Sequence, residues 1–145
     1  MSTVVYFKGR VLNEEIVDFR VEVSETEPWT LRYVGLDRNR HDVRARDLFE
    51  ALVNMRQELE RSDCQLLCAG ARADVTPSGM SRSMTGGRKA YVMHLGQPAS
   101  LDELVDIFEY AAPDLVGTVK QQQRYLEQWI NSLKHRVAPK KLNRF

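Results

Sequence analysis

The sequence is short of the residues on which metal and thiol chemistry rests: it holds two cysteines and three histidines in 145 residues. Cys64 and Cys68 stand four apart in a segment that reads as a strand, on one face and too distant there to bridge. They are expected as buried, reduced thiols. A zinc site would need two more ligands, and none of His41, His94 and His135 sits at a recognised ligand spacing. No metal and no cofactor is expected. Long apolar runs are missing as well. None approaches the roughly 20 residues that cross a bilayer, so no membrane partner is expected. Residues 1–10 lack the basic stretch and apolar run of a secretory signal, which makes the cytoplasm the expected compartment.

An excess of one charge is missing too, with a net of +1 over the chain. That average hides a segregation. Residues 1–98 carry 14 basic and 14 acidic side chains, residues 99–133 a net of −4, and residues 134–145 a net of +5. Such a split bears on association and solubility more than on fold.

What remains is an ordinary globular composition, 43% hydrophobic and 28% charged. The length suits one domain, able to bury about two thirds of its unfolded surface without a metal or disulfide staple. The expected organisation is a single domain over 1–133 and a basic, flexible C-terminal tail over 134–145.

The N-terminal third reads as strands. Val4 to Phe7 open a first run. Val17, Phe19, Val21 and Val23 alternate with polar partners in a second. Trp29, Leu31 and Tyr33 mark a third, and after a turn at 35–39 a short fourth runs through Val43. Local joins make this an antiparallel meander. Three helix starts follow, each announced by a capping box: Asp47-x-x-Glu50, Ser100-x-x-Glu103 and Thr118-x-x-Gln121. Two further strands, 65–69 and 89–95, flank a long loop. The class expected is α+β: an antiparallel or mixed sheet of about five to six strands, with three helices mainly on one side.

The loop from Gly70 to Arg88 is rich in glycine, serine, methionine and arginine. Loops beyond about 12–15 residues are uncommon in compact domains and tend to be functional or disordered. Its glycines and serines could turn backbone N–H groups toward an anion, with Arg72, Arg82 and Arg88 as forks. The formal motifs fail, however. A Walker loop needs lysine where Arg88 follows Gly87 and glycine where Arg82 stands, and Ser78 lacks the glycine two before it that a nucleophile elbow requires. Three readings stay open: an anion or nucleotide site over Gly70–Lys89, a protein-contact loop, and a plain connection.

His94 could act as a base, but no nucleophile and orienting group can be assembled around it. His41, Asp42 and Arg44 lie by a turn and read as solvated. A helix over Ser100–Tyr110 would show Asp102, Glu103, Asp106 and Glu109 opposite its apolar stripe. That is either a solvated face or a docking face for a basic partner. The basic tail lacks interleaved aromatics apart from Phe145, so a nucleic-acid partner is not expected.

Several stretches carry a resemblance: residues 66–72 (Leu-Leu-Cys-Ala-Gly-Ala-Arg), Pro77-Ser78-Gly79-Met80, residues 86–92, Leu104-Val105-Asp106-Ile107-Phe108, and the Gln-rich helix that ends at Trp129. Over residues 28–133 the chain resembles small bacterial immunity proteins of polymorphic toxin or contact-dependent inhibition systems. The resemblance implies a non-enzymatic role, binding a cognate toxin domain and blocking its active site. It transfers no family binding residues. The contact set expected from the chain's own loop and acidic segment is Arg72, Asp74, Ser78, Arg82, Arg88, Asp102, Glu103, Asp106 and Glu109.

Overall fold

The computed structural model describes residues 2–12 and 14–142, the side chains of 135–142 excepted. The protein is α+β. Strands β1 (Ser2–Arg10), β2 (Ile16–Ser24), β3 (Trp29–Val34) and β4 (Arg40–Ala45) form the expected meander, and β5 (Gln65–Leu66) completes a sheet of order β4-β3-β2-β1-β5. A second sheet of order β6-β7-β8 joins Val75–Thr76, Lys89–Val92 and Leu104–Asp106. Every strand pair described is antiparallel.

The period-two alternation in β2 has its expected consequence. Phe19, Val21 and Val23 are buried, while Asp18 and Arg20 face solvent. Against this inner face lies helix α1 (Leu48–Glu60), whose Leu48, Leu52, Met55 and Leu59 recur at helical spacing and are all buried. Each such side chain removed from water contributes about 1.5–3 kcal/mol. The outer face is a lattice of exposed cross-strand ion pairs, Lys8–Asp18 at 3.0 Å and Arg32–Asp42 at 3.7 Å among them. Exposed pairs of this kind add little stability, so the sheet is held mainly by its inner side.

Two of the three capping boxes start α-helices. The Asp47 carboxylate accepts from the Glu50 N–H at 2.8 Å. At the start of helix α3 (Val119–Leu142) the box is reciprocal: Thr118 Oγ1 accepts from the Gln121 N–H at 3.1 Å, and Gln121 Oε1 accepts from the Thr118 N–H at 2.8 Å. Helix α3 reaches into the segment expected as a basic tail, whose residues 143–145 lie outside the described ones.

The third box does not. The helix expected over Ser100–Tyr110 is a single 3-10 turn, Leu101–Glu103, followed directly by β8. Ser100 still caps the turn, accepting from the Asp102 N–H at 3.3 Å. Tertiary pairing then takes over. Val105 lies opposite Ala90 in β7, the Ile107 N–H donates to Arg88 O at 2.9 Å, and Ile107 O accepts from the Gly70 N–H at 2.9 Å. A helix would forfeit all of these and place Leu101 inside; it is instead 77% exposed.

Candidate functional site

The Gly70–Arg88 stretch is built rather than open. It consists of a 3-10 turn over Ala69–Ala71, then β6, then helix α2 (Gly79–Thr85). Ser78 starts α2. Its hydroxyl accepts from the Ser81 N–H at 3.0 Å while Ser81 Oγ accepts from the Ser78 N–H at 2.9 Å. Gly86 ends the helix at φ +64°, packed against the Trp29 ring, and its carbonyl accepts from the Leu48 N–H at 2.7 Å. The end of α2 is therefore tied to the beginning of α1. Only glycine tolerates that backbone angle at so close an approach.

Each arginine of the stretch is committed to an internal carboxylate. Arg72 forks onto Asp74, with Nε–Oδ1 at 2.9 Å and Nη2–Oδ2 at 2.8 Å. Arg82 reaches across 35 residues to the buried carboxylate of Asp47, with its guanidinium carbon 5.5 Å from the centre of the Phe49 ring. Arg88 donates to Asp106 at 3.0 Å and lies 4.9 Å from the Phe108 ring centre, with Lys89 3.8 Å from the same carboxylate. Opposite charges meet in pairs, and the three guanidiniums do not converge on a common anion position.

The acidic residues are equally dispersed. Asp106 turns inward to Arg88 and also accepts from the Phe108 N–H at 2.9 Å. Glu109 accepts from the Asp106 N–H at 3.3 Å, and Glu103 lies 3.2 Å from His94. Asp102 stands exposed. Of the nine residues singled out from sequence, the structure joins Arg72 with Asp74 and Arg88 with Asp106. It brings Glu109 to the Asp106 backbone and gives Ser78 a capping role.

Sequence reasoning missed what this scaffold displays. Met80 and Met84 lie one turn apart on α2 and are 69% and 77% exposed. Between them in sequence, Arg82 lines a cleft of about 240 Å³ among the three helices, with Phe49 and Val53 from α1 and Val119 and Leu126 from α3. Arg46 at its edge pairs with Glu50 at 2.8 Å. The four-residue spacing of the methionines was readable, but only once a helix was known to begin at Ser78. The two thiols give no alternative centre: burial pushes both Cys64 and Cys68 up to about 11, far from the range of a reactive thiolate.

No protein-family model matches the chain, and neither does any curated protein.

Proposed function

We propose that the chain is a protein-binding module of the immunity-protein kind, which seats a cognate bacterial toxin domain on the α2 face and blocks its active site. The observation that carries this reading is the pair Met80 and Met84, held outward on a helix pinned at both ends by Ser78 and Gly86. Methionine adapts its shape to a partner and is enriched at interfaces. A pinned platform also loses little conformational freedom on docking, which favours affinity at a given contact area. The resemblance over residues 28–133 supplies the class of partner.

The rival, a small anionic ligand held by Gly70–Lys89, draws on arginines whose charge is already matched by Asp74, Asp47 and Asp106. Binding a phosphate there would first have to break those pairs.

The test is co-expression with the toxin domain encoded by the adjacent reading frame, scored by co-purification and by loss of toxin activity. A complex is expected, and the double variant Met80→Glu, Met84→Glu should lose it while melting at the wild-type temperature. A complex that survives the double variant, or no complex at all, overturns the reading.

A further inference from the structure

The turn between β3 and β4 holds an arrangement unrelated to the α2 face. Asp37 and His41 meet there, with the His41 Nε2 atom 3.1 and 3.0 Å from the two Asp37 carboxylate oxygens. Glu58, from the last two turns of α1, comes to the same place, so that one donor atom from each residue lies within 4.8 Å of the others. Among the described residues this is the one group of three or more histidine, cysteine and carboxylate donors that close. Together with Gly35 and Ser62 they line a small cavity of about 30 Å³. That is enough for one or two particles the size of a water molecule.

Three observations suit an ion rather than a plain ion pair. First, Tyr33 is 3% exposed and its hydroxyl has no hydrogen-bond partner among the described residues. Its ring stacks on His41 at 5.1 Å between centres, with the planes 16° apart. A buried hydroxyl left unpaired is costly, so its placement calls for a partner. Second, the backbone at Gly35 closes on the donors. A Cβ there would stand 2.8 Å from Asp37 Oδ1 and 3.0 Å from His41 Nε2, and any side chain would crowd the cavity. Third, the donor spacing suits a small cation. Ligands about 2.0–2.1 Å from a tetrahedral ion lie roughly 3.3 Å apart. Asp37 and His41 stand at 3.0–3.1 Å, the length of the hydrogen bond between them, so an ion would enter by replacing that proton. Glu58 would have to close from a spacing within 4.8 Å. Its present partner, Arg61 at 3.1 Å, is an exposed neighbour one turn along, a contact worth little.

We propose that Asp37, His41 and Glu58 form a binding site for one divalent transition-metal ion of the zinc class, with the Tyr33 hydroxyl as an outer-sphere donor. One imidazole with two carboxylates matches borderline metals better than calcium or magnesium, which favour all-oxygen shells. Two carboxylates also neutralise the ion's charge. Three protein ligands leave a coordination position open. The bound ion would fasten the β3–β4 turn to α1, on residues well separated in sequence from the α2 face.

The test is titration of the chelator-treated full chain with zinc, followed by calorimetry and by melting temperature. One zinc per chain is expected, with a rise in melting temperature. His41→Gln and Glu58→Gln should remove the stoichiometric site, and His94→Gln should leave it intact. Tyr33→Phe separates this site from a purely structural cluster. It keeps the ring stacked and deletes an unpaired hydroxyl, so the metal-free protein should melt no lower than wild type. Zinc affinity should nevertheless fall roughly tenfold, as for loss of an outer-shell partner. Wild-type protein that takes up no zinc, or a stoichiometric site that survives His41→Gln, overturns the proposal.

Discussion

Arg56 Nη1 donates to Gln122 Oε1 at 2.7 Å in the interior of the molecule, joining α1 to the first turn of α3 across 66 residues. Arg56 is 2% exposed, and among the described residues no carboxylate bonds to it. Its remaining hydrogen bonds go to Gly70 O at 3.3 Å and Gly117 O at 3.0 Å. Gln122 Nε2 donates in turn to the carbonyls of Gly70, Arg72 and Val75 at 2.8–2.9 Å. Irregular backbone buried away from water must find partners for its carbonyls. Here two side chains supply them, and the 70–76 stretch is held in place by that means. Burial lowers the Arg56 pKa from its ordinary value, so the network carries a desolvation cost offset by these bonds.

Breaking this network should be expensive. Arg56→Met and Gln122→Leu each strand several buried polar atoms, and each should lower stability by about 3 kcal/mol in urea denaturation. Because they act on shared partners, the double variant should lose less than the sum. A loss below about 1 kcal/mol for either single variant would contradict the role assigned here.

The two glycines that bound α2 should respond in opposite ways to alanine. At Gly86 a Cβ would come within 2.5 Å of the Trp29 ring on a backbone at φ +64°. Gly86→Ala should cost about 2 kcal/mol or more. At Gly79 a Cβ meets nothing within 4 Å in the first turn of the helix. Gly79→Ala should be neutral or stabilise by about 0.5 kcal/mol. Thermal unfolding of the pair of variants decides this.

Alkaline pH should weaken the fold through its thiols. Cys64 and Cys68 are buried, and their thiols are pushed from 9.0 up to about 11. Between those values the unfolded chain has released each proton and the folded chain has kept it. Stability therefore falls as pH rises through this window, by about 1.4 kcal/mol per pH unit per thiol at most. Denaturant midpoints at intervals from pH 8 to 11 should fall more steeply for wild type than for Cys68→Ala. Equal slopes would refute the assignment.

The strand at 104–106 predicts an asymmetry that a helix would not. On a helix over Ser100–Tyr110, Leu101 would belong to the buried stripe. In the structure it is 77% exposed, whereas Ile107 is fully buried. Leu101→Ser should therefore change stability by less than about 0.5 kcal/mol. Ile107→Ala should cost about 3 kcal/mol, the usual penalty for a core cavity. Chemical denaturation of both variants separates the two topologies.

Elements whose signal is local were legible in the sequence. The β1–β4 meander follows from alternation, and α1 and the start of α3 follow from boxes whose partners are three residues away. The α+β class follows from the order of those elements. Tertiary structure decided what depends on distant partners. Ser100-x-x-Glu103 has the same local pattern as the boxes that begin α1 and α3, yet β7 and the Gly70 N–H offered residues 104–107 bonds that a helix could not match. The 70–88 stretch read as a loop because its order comes from Arg56, Gln122, Asp47 and Trp29, all outside it. Likewise the Asp37–His41 contact spans one turn and was within reach of sequence. Glu58 joins it only because α1 packs against the β3–β4 hairpin, whereas Tyr33 stacks on His41 because the two stand opposite each other in that hairpin's ladder. Local patterns state a preference of a few kcal/mol at most; long-range pairing and burial decide between preferences of that size.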